Sequence, residues 1–293
     1  MRMRSVALVL AATLPLSAQQ PTGTDIWLVA IRDSAGHMVL GPARNLTSRP
    51  GYDNQPGWAP RGDVIYFSSQ RGDAQNDIWR VDVASLAQAR VTTTATESEY
   101  SPTVMPGGAA LSVIKVERDS TQRLWRVPLD GSEASVILAN AKPVGYHAWG
   151  DANTLGLFVL GSSGAPATFQ VADVRTGATK IVANDIQRGL AKIPTANAMS
   201  YTSRVSRIES WIMKYDLASG DTTRIARMPP GVQDYVWTPG GALLAARESL
   251  VYAWSASAGW TPIGDLARDG VKGITRLAVS PRGDALALVA QDQ

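Results

Sequence analysis

The chain has 293 residues, of which 45% are hydrophobic and 18% are charged, and its formal net charge is +3. This composition is typical of a folded domain with a substantial core and excludes an intrinsically disordered chain. The absence of cysteine excludes disulfides, thiolate metal sites, cysteine nucleophiles and a lipid-anchored cysteine. The sequence also lacks the clustered lysines and arginines that nucleic-acid binding requires, so we predict no nucleic-acid partner.

Residues 1–18 form a predicted secretory signal. Arg2 and Arg4 precede an apolar run from Val6 to Leu16, and Leu16-Ser17-Ala18 offers a small-residue cleavage site. The run is shorter than the roughly 20 apolar residues that a membrane-spanning helix needs. We therefore expect a periplasmic or secreted protein that is not inserted in a membrane after the signal is removed.

The first complete repeat of the mature chain follows residue 53. A short strand ends at Trp58, a turn with Pro60 and Gly62 follows, and an apolar strand covers residues 64–69. Residues 77–83 and 89–92 then have the composition of a third and a fourth strand. Polar turns separate every pair, which is typical of an antiparallel meander.

This unit recurs about every 40–46 residues, the length of one four-stranded propeller blade. The first turn returns at residues 105–108, 149–153, 193–197, 238–241 and 280–283. The third strand returns at residues 124–131, 169–174, 212–217 and, in degraded form, 251–255. The repeats predict an all-β fold over residues 19–293, a six-bladed β-propeller of four-stranded antiparallel sheets.

The last copy is incomplete, since the chain ends after two strand patterns at residues 277–280 and 285–289. Residues 25–31 match the third strand of the repeat, and residues 43–47 match the fourth. We therefore predict that the N-terminal strands complete the C-terminal blade. This pairing would close the ring and cover both sheet edges.

Tryptophan follows the same period. It ends the first strand at Trp58, Trp149 and Trp237, and it lies in the third strand at Trp27, Trp79 and Trp125. We interpret these rings as packing between adjacent blades, where a large apolar side chain fills the wedge.

The patterns Trp-x-Pro-x-Gly-Asp at 58–63, Ser-Ser-Gln-Arg-Gly at 68–72 and Asp-Ile-Trp-x-Val-Asp at 77–82 resemble the WD40-like (PD40) repeat of the TolB-type β-propeller family. Related repeats occur in the propeller domains of prolyl oligopeptidases. The resemblance covers nearly the whole mature chain and is sharpest over residues 45–92. It implies six blades, a periplasmic location and binding to other envelope proteins.

Catalytic and metal-binding motifs are not evident in the sequence. No Gly-x-Ser-x-Gly elbow, phosphate loop or calcium loop occurs, and His37 and His147 have no partner at metal-ligand spacing. Three Arg-Gly-Asp triplets, at residues 61–63, 71–73 and 282–284, are interpreted as turns in which glycine supplies a positive φ. Asp77, Asp82, Asp173 and Asp216 recur once per blade, so we predict that they bond to turn amides. We predict no cofactor, metal or catalytic residue.

The predicted binding site is the channel mouth where the chain enters the first strands. Loops converge there, and their side chains differ in charge and size from blade to blade, as expected for one asymmetric ligand. Tyrosines would supply rigid contact area, and charged residues would orient a peptide end. The predicted site residues are Asn54, Glu99, Tyr100, Tyr146, His147, Arg188, Asp234, Tyr235 and Arg276.

The leading functional hypothesis is a monomeric, non-catalytic scaffold that binds an envelope protein or peptide. One alternative is a polysaccharide lyase-like or other enzyme at the channel mouth, for which His147, Arg188 and Glu99 are the available set. Another is a regulatory propeller whose hydrolase is a separate chain. The fold alone does not choose between these functions.

Overall fold

The computed structural model describes residues 23–34, 37–72 and 74–292. In these ranges twenty-four strands form six four-stranded antiparallel sheets, the predicted six-bladed β-propeller. The predicted signal, residues 1–18, lies outside the described residues. Within the described part of the chain, none of the helical structure has the length and apolar character needed to span a membrane.

The chain begins in the last blade and then builds five blades in order. The N-terminal strands are β1 (Thr24–Ser34) and β2 (His37–Asn45). Blade 1 contains β3 (Asp53–Trp58), β4 (Val64–Ser69), β5 (Asp77–Asp82) and β6 (Gln88–Arg90). Blade 2 contains β7 (Ser98–Val104), β8 (Ala110–Val116), β9 (Gln122–Pro128) and β10 (Ser135–Val136). Blade 3 contains β11 (Val144–Trp149), β12 (Thr154–Val159), β13 (Thr168–Asp173) and β14 (Thr179–Asn184).

The remaining blades follow the same meander. Blade 4 contains β15 (Ile186–Ile193), β16 (Ala198–Arg204), β17 (Ser210–Asp216) and β18 (Thr222–Arg227). Blade 5 contains β19 (Tyr235–Trp237), β20 (Leu243–Arg247), β21 (Leu250–Ser255) and β22 (Gly259–Asp265), and a 3₁₀ turn (Ala267–Asp269) follows it. Blade 6 ends the chain with β23 (Arg276–Val279) and β24 (Ala285–Gln291).

Blade 6 is completed by the N-terminus, as the sequence predicted. β1 lies between β24 and β2, with Trp27 opposite Leu288 on one side and Asn45 on the other. Trp27, Val29 and neighbouring aliphatic side chains are buried in a core that joins this blade to blade 5. Each fully buried side chain of this kind contributes about 1.5–3 kcal/mol, so the closure stabilises the ring.

The tryptophans that end first strands join adjacent blades, which confirms their predicted place. Trp58 packs into a core formed by residues of blades 6 and 1, and its indole Nε1 donates to the carbonyl of Ala278 at 2.9 Å. Trp149 packs between blades 2 and 3. Each ring fills the wedge and also satisfies its N–H group, which keeps a buried tryptophan from losing a hydrogen bond.

The turns have the chemistry that the sequence indicated. The glycines of all three Arg-Gly-Asp triplets, Gly62, Gly72 and Gly283, have positive φ. Asp82, Asp173 and Asp216 each accept hydrogen bonds from the backbone amides two and three residues ahead, which close the turns after the third strands.

Asp77 differs from the other recurring aspartates in its place on the third strand, and it forms an ion pair. It lies buried at the start of β5 and pairs with the Arg90 guanidinium. It lies at the opposite end of β5 from Asp82, whose carboxylate caps the turn that follows the strand.

Candidate binding site at the channel mouth

The starts of the first strands share one face of the propeller, as predicted. In blades 3, 5 and 6, the first-strand residues Tyr146, Tyr235 and Arg276 lie opposite the ends of the second strands. The second-to-third-strand hairpins therefore surround this mouth. The first turns that follow Trp58 and its counterparts lie at the other mouth.

Arg276 lies at the centre of the mouth and joins three blades. Its Nε donates to the side-chain oxygen of Asn54 in blade 1 at 3.2 Å, and its Nη2 donates to the Tyr146 hydroxyl in blade 3 at 3.0 Å. The guanidinium also lies 4.9 Å from the centre of the Tyr146 ring. These contacts fix the planar cation in one orientation, so its position is set before any ligand arrives.

Arg188 and Asp234 line the same cavity as Arg276. Arg188 Nη2 donates to the carbonyl of Thr275 at 2.7 Å, while its Nε is buried without a hydrogen-bond partner among the described residues. Asp234 accepts a hydrogen bond from the Leu277 amide at 3.2 Å. This hydrogen bond from the backbone amide holds the Asp234 carboxylate in the cavity that both guanidiniums line.

The charges at the mouth perturb one another. Burial raises the pKa of Asp234, and Arg276 and Arg188 oppose that rise. Burial lowers the pKa of Arg188, and the neighbouring Arg276 lowers it further. Burial also disfavours the charged form of Arg276, but Asp234 and Tyr146 hold the pKa of Arg276 above its ordinary value. An additional negative group at this mouth would relieve the repulsion between the arginines.

Three cavities are lined in part by residues of this cluster. The channel cavity of about 310 Å³ is lined by Arg188, Asp234 and Arg276. Outside it, a cavity of about 520 Å³ opens between blades 5 and 6. A third cavity of about 330 Å³ is lined by Tyr52, Tyr100 and Arg276, among others. The mouth is therefore concave, with cationic and aromatic walls.

The tyrosines form a rigid wall. The Tyr100 hydroxyl accepts a hydrogen bond from the Asn76 side chain at 2.8 Å, and Tyr146 is held by Arg276. Burial raises the pKa of Tyr52 to about 12, although Arg276 partly opposes this rise. Tyr52 therefore stays neutral at neutral pH, and the three side chains present ring faces and hydroxyl groups.

Glu99 is placed away from this wall. Its carboxylate is fully buried and accepts hydrogen bonds from the hydroxyls of Thr92 at 2.6 Å and Thr94 at 2.8 Å. Lys115 lies 3.7 Å away. Burial raises the pKa of Glu99, while the two threonines and Lys115 lower it. These contacts give Glu99 a part in joining blades 1 and 2.

His147 and Tyr235 border the channel but are bonded to the preceding blade. His147 Nε2 lies 2.7 Å from Ser112 Oγ, which also accepts a hydrogen bond from Trp149 at 2.9 Å. Two blades later the arrangement repeats, since Ser200 Oγ accepts from both Tyr235 and Trp237 at 2.9 Å.

Because the arrangement repeats, the serine–histidine contact is explained as part of a blade junction, and no hydrolytic role is needed to account for it. Tyr235 takes the place of His147 at the second junction, and neither serine side chain is exposed. Burial lowers the pKa of His147 to about 3, which makes the imidazole a weak base at neutral pH. These junctions were not predicted from the sequence, although the separation of 37 residues between serine and tryptophan occurs in both.

Of the residues considered for a lyase, His147 and Arg188 line the same channel cavity, but Glu99 does not line it. Glu99, His147 and Arg188 each bond to other groups, and no hydrogen bond or ion pair joins any two of them. Across residues 23–34, 37–72 and 74–292 there is no group of three or more His, Cys, Asp or Glu side chains arranged to hold a metal ion.

Comparison with known proteins gives the fold and a range of functions. No family model matches the sequence, and no curated protein matches it. Among solved structures, the fold is similar to a protein provisionally described as TolB from Agrobacterium tumefaciens, with 16% identity, a TM-score of 0.73 and coverage of 94% of this chain and 100% of that chain. It is also similar to a gluconolactonase from Xanthomonas campestris, with 11% identity, a TM-score of 0.63 and coverage of 93% and 99%.

A third similar structure is an oligogalacturonate lyase in complex with manganese, with 16% identity, a TM-score of 0.56 and coverage of 88% of this chain and 83% of that chain. At these identities the likeness concerns the fold alone. The similar structures include a TolB-type protein and enzymes, so function must be argued from the mouth itself.

Proposed function

We propose that this chain is an exported TolB-like propeller of the WD40-like repeat family that binds a protein or peptide of the cell envelope at its channel mouth, without catalysing a reaction. The observation that carries the proposal is the prearranged cluster around Arg276, which three blades hold in place. A rigid concave surface with aromatic and arginine side chains is the usual composition of a binding hot spot.

The rim of the same face supports a macromolecular ligand. The hairpin between β16 and β17 follows Arg204, which pairs with Ser210 on the side of the mouth. Its tip exposes Ile208 at 84% and Val205 at 55%. Apolar side chains this exposed at the edge of a concave site favour contact with a partner that extends beyond the cavity.

The proposal is tested by site-specific photocrosslinking. Benzoylphenylalanine is placed at Ile208 on the mouth face or, as the matched control, at Leu129 in a turn of the opposite face, where the side chain is 39% exposed. Each variant is irradiated in the periplasm or in envelope extract of the producing organism. We expect a discrete crosslinked species from Ile208 and none from Leu129.

Equal crosslinking from both positions, or none from Ile208, would contradict a mouth-directed partner. Lyase activity is assayed in parallel. Oligogalacturonate is incubated with the protein, with and without manganese, and unsaturated uronates are detected by their ultraviolet absorbance. Steady product formation that Arg276→Gln abolishes would replace the scaffold by an enzyme. A captured partner with hydrolase activity would identify the regulatory alternative.

A further inference from the structure

The cluster at the channel mouth has more positive than negative charge. Its two arginines, Arg188 and Arg276, are both partly buried, and neither forms an ion pair within 4.0 Å among the described residues, whereas surface arginines such as Arg175 do. Asp234 is the carboxylate that faces them in the channel cavity. At the outer rim Arg247 and Glu248 balance each other in charge.

Part of the N–H donor set of the two arginine side chains has no acceptor in the described part of the chain. Arg276 donates hydrogen bonds from Nε to Asn54 and from Nη2 to Tyr146. Arg188 donates a hydrogen bond from Nη2 to the carbonyl of Thr275, but its Nε is buried with no hydrogen-bond partner in the described part of the chain. A buried guanidinium N–H without an acceptor costs free energy, and an anion in the adjoining cavity would offset part of that cost by pairing with the guanidinium charge.

We propose that Arg188 and Arg276 form a receptor for the carboxylate of a peptide, which enters the mouth along the channel axis. This inference rests on the proposed function and specifies the chemistry of its ligand. The carboxylate would accept from the guanidinium groups of Arg188 and Arg276, which both line the channel cavity. Tyr52 and Tyr100 would contact the peptide residues next to it, because they line the adjoining cavity.

Asp234 sets the affinity of this receptor. Its carboxyl group is held by the Leu277 amide and shares the cavity with both arginines, so its ionised form neutralises part of their charge. An incoming carboxylate gains from the arginines and is repelled by Asp234. Replacing Asp234 with asparagine therefore strengthens binding, an effect opposite to the one that damage to the fold would produce.

The test uses three pooled libraries of N-acetylated tetrapeptides. The first has a free C-terminal carboxylate and no Asp or Glu, the second is the same set with an amidated C-terminus, and the third is amidated with one Asp or Glu. Peptides retained by the purified protein are identified by mass spectrometry, and their dissociation constants are measured. Retention of the first or third library over the second supports the proposal and identifies which carboxylate is bound.

The variants Arg188→Gln and Arg276→Gln are each expected to weaken binding of a retained peptide about 10-fold or more, and Asp234→Asn to strengthen it several-fold. Arg282→Gln is the control, because Arg282 lies in a turn of the opposite face. Thermal melting verifies that each variant folds. If Arg276→Gln does not fold, two measurements still test the receptor. One is the affinity of Arg188→Gln, and the other is the shift of the Arg188 Nε–H signal, followed by NMR during peptide titration of the unmodified protein.

Retention of the first and third libraries no better than that of the second, or unchanged affinity in Arg188→Gln, overturns the carboxylate receptor. If Ile208 still crosslinks to a partner in that case, the mouth binds protein by other contacts and the proposed function stands. Failure of both experiments removes the proposed function as well. Binding of galacturonate oligomers in place of all three libraries also overturns the peptide receptor.

Discussion

The buried imidazole of His147 should make the propeller sensitive to acid. The side chain is 8% exposed, and burial lowers its pKa to about 3, against about 6.5 in an unfolded chain. Between these values only the unfolded chain binds the proton, so acidification favours unfolding. Above pH 6.5 neither state binds the proton, and below the folded pKa both do, so the loss is confined to that window.

The magnitude follows from linkage. Stability falls by about 1.4 kcal/mol for each pH unit below the unfolded pKa, which gives roughly 3 kcal/mol between pH 6.5 and pH 4.5. The variant His147→Gln removes this titration and keeps an amide N–H near the position of the ring Nε2, so the bond to Ser112 at 2.7 Å can be replaced.

Urea unfolding of both proteins at pH 7.0 and pH 4.5 measures the effect. We expect the unmodified protein to lose about 2–3 kcal/mol more than His147→Gln over this interval. His37 is exposed, and His37→Gln is the matched control for replacing a histidine. Parallel losses in the unmodified protein and His147→Gln would show that the imidazole is solvated or paired in the folded state.

Further predictions concern the blade junctions. Ser200→Ala leaves the Trp237 and Tyr235 donors unsatisfied, so it should cost about 1–3 kcal/mol by urea unfolding; a loss under 0.5 kcal/mol would refute the junction. Gly57→Ala places a Cβ 2.1 Å from the Pro102 carbonyl oxygen and should cost about 1–3 kcal/mol by forcing two first strands apart. At Gly150 a Cβ would lie 3.4 Å from its nearest atoms, so Gly150→Ala is the control and should melt within a few degrees of the unmodified protein. Equal losses of stability in Gly57→Ala and Gly150→Ala would contradict the close approach of Gly57 to Pro102.

The fold could be predicted because each blade repeats a turn and an aromatic position. The spacing of Trp58, Trp149 and Trp237 located the first strands, and the match of residues 25–31 to residues 77–83 located the closing strands. These signals depend on local chain chemistry and period, which a sequence displays directly.

The site was predicted only in outline, because neighbouring side chains on a first strand point to different places. Glu99 and Arg276 both enter first strands, yet one is buried between blades and the other lies in the channel. The difference depends on bulges such as that at Ser101, whose φ is 53°. A bulge adds one residue and changes which side chain faces the axis, and no residue pattern specified it.

Hydrogen–deuterium exchange on the complex with the partner captured at Ile208 tests most directly whether the mouth is the binding surface. We predict that the partner slows exchange in residues 186–190, 232–236 and 274–278, which carry Arg188, Asp234 and Arg276, and leaves the opposite-face turns at 105–109 and 238–242 unchanged. Protection confined to those turns, or none at the mouth, would contradict the account.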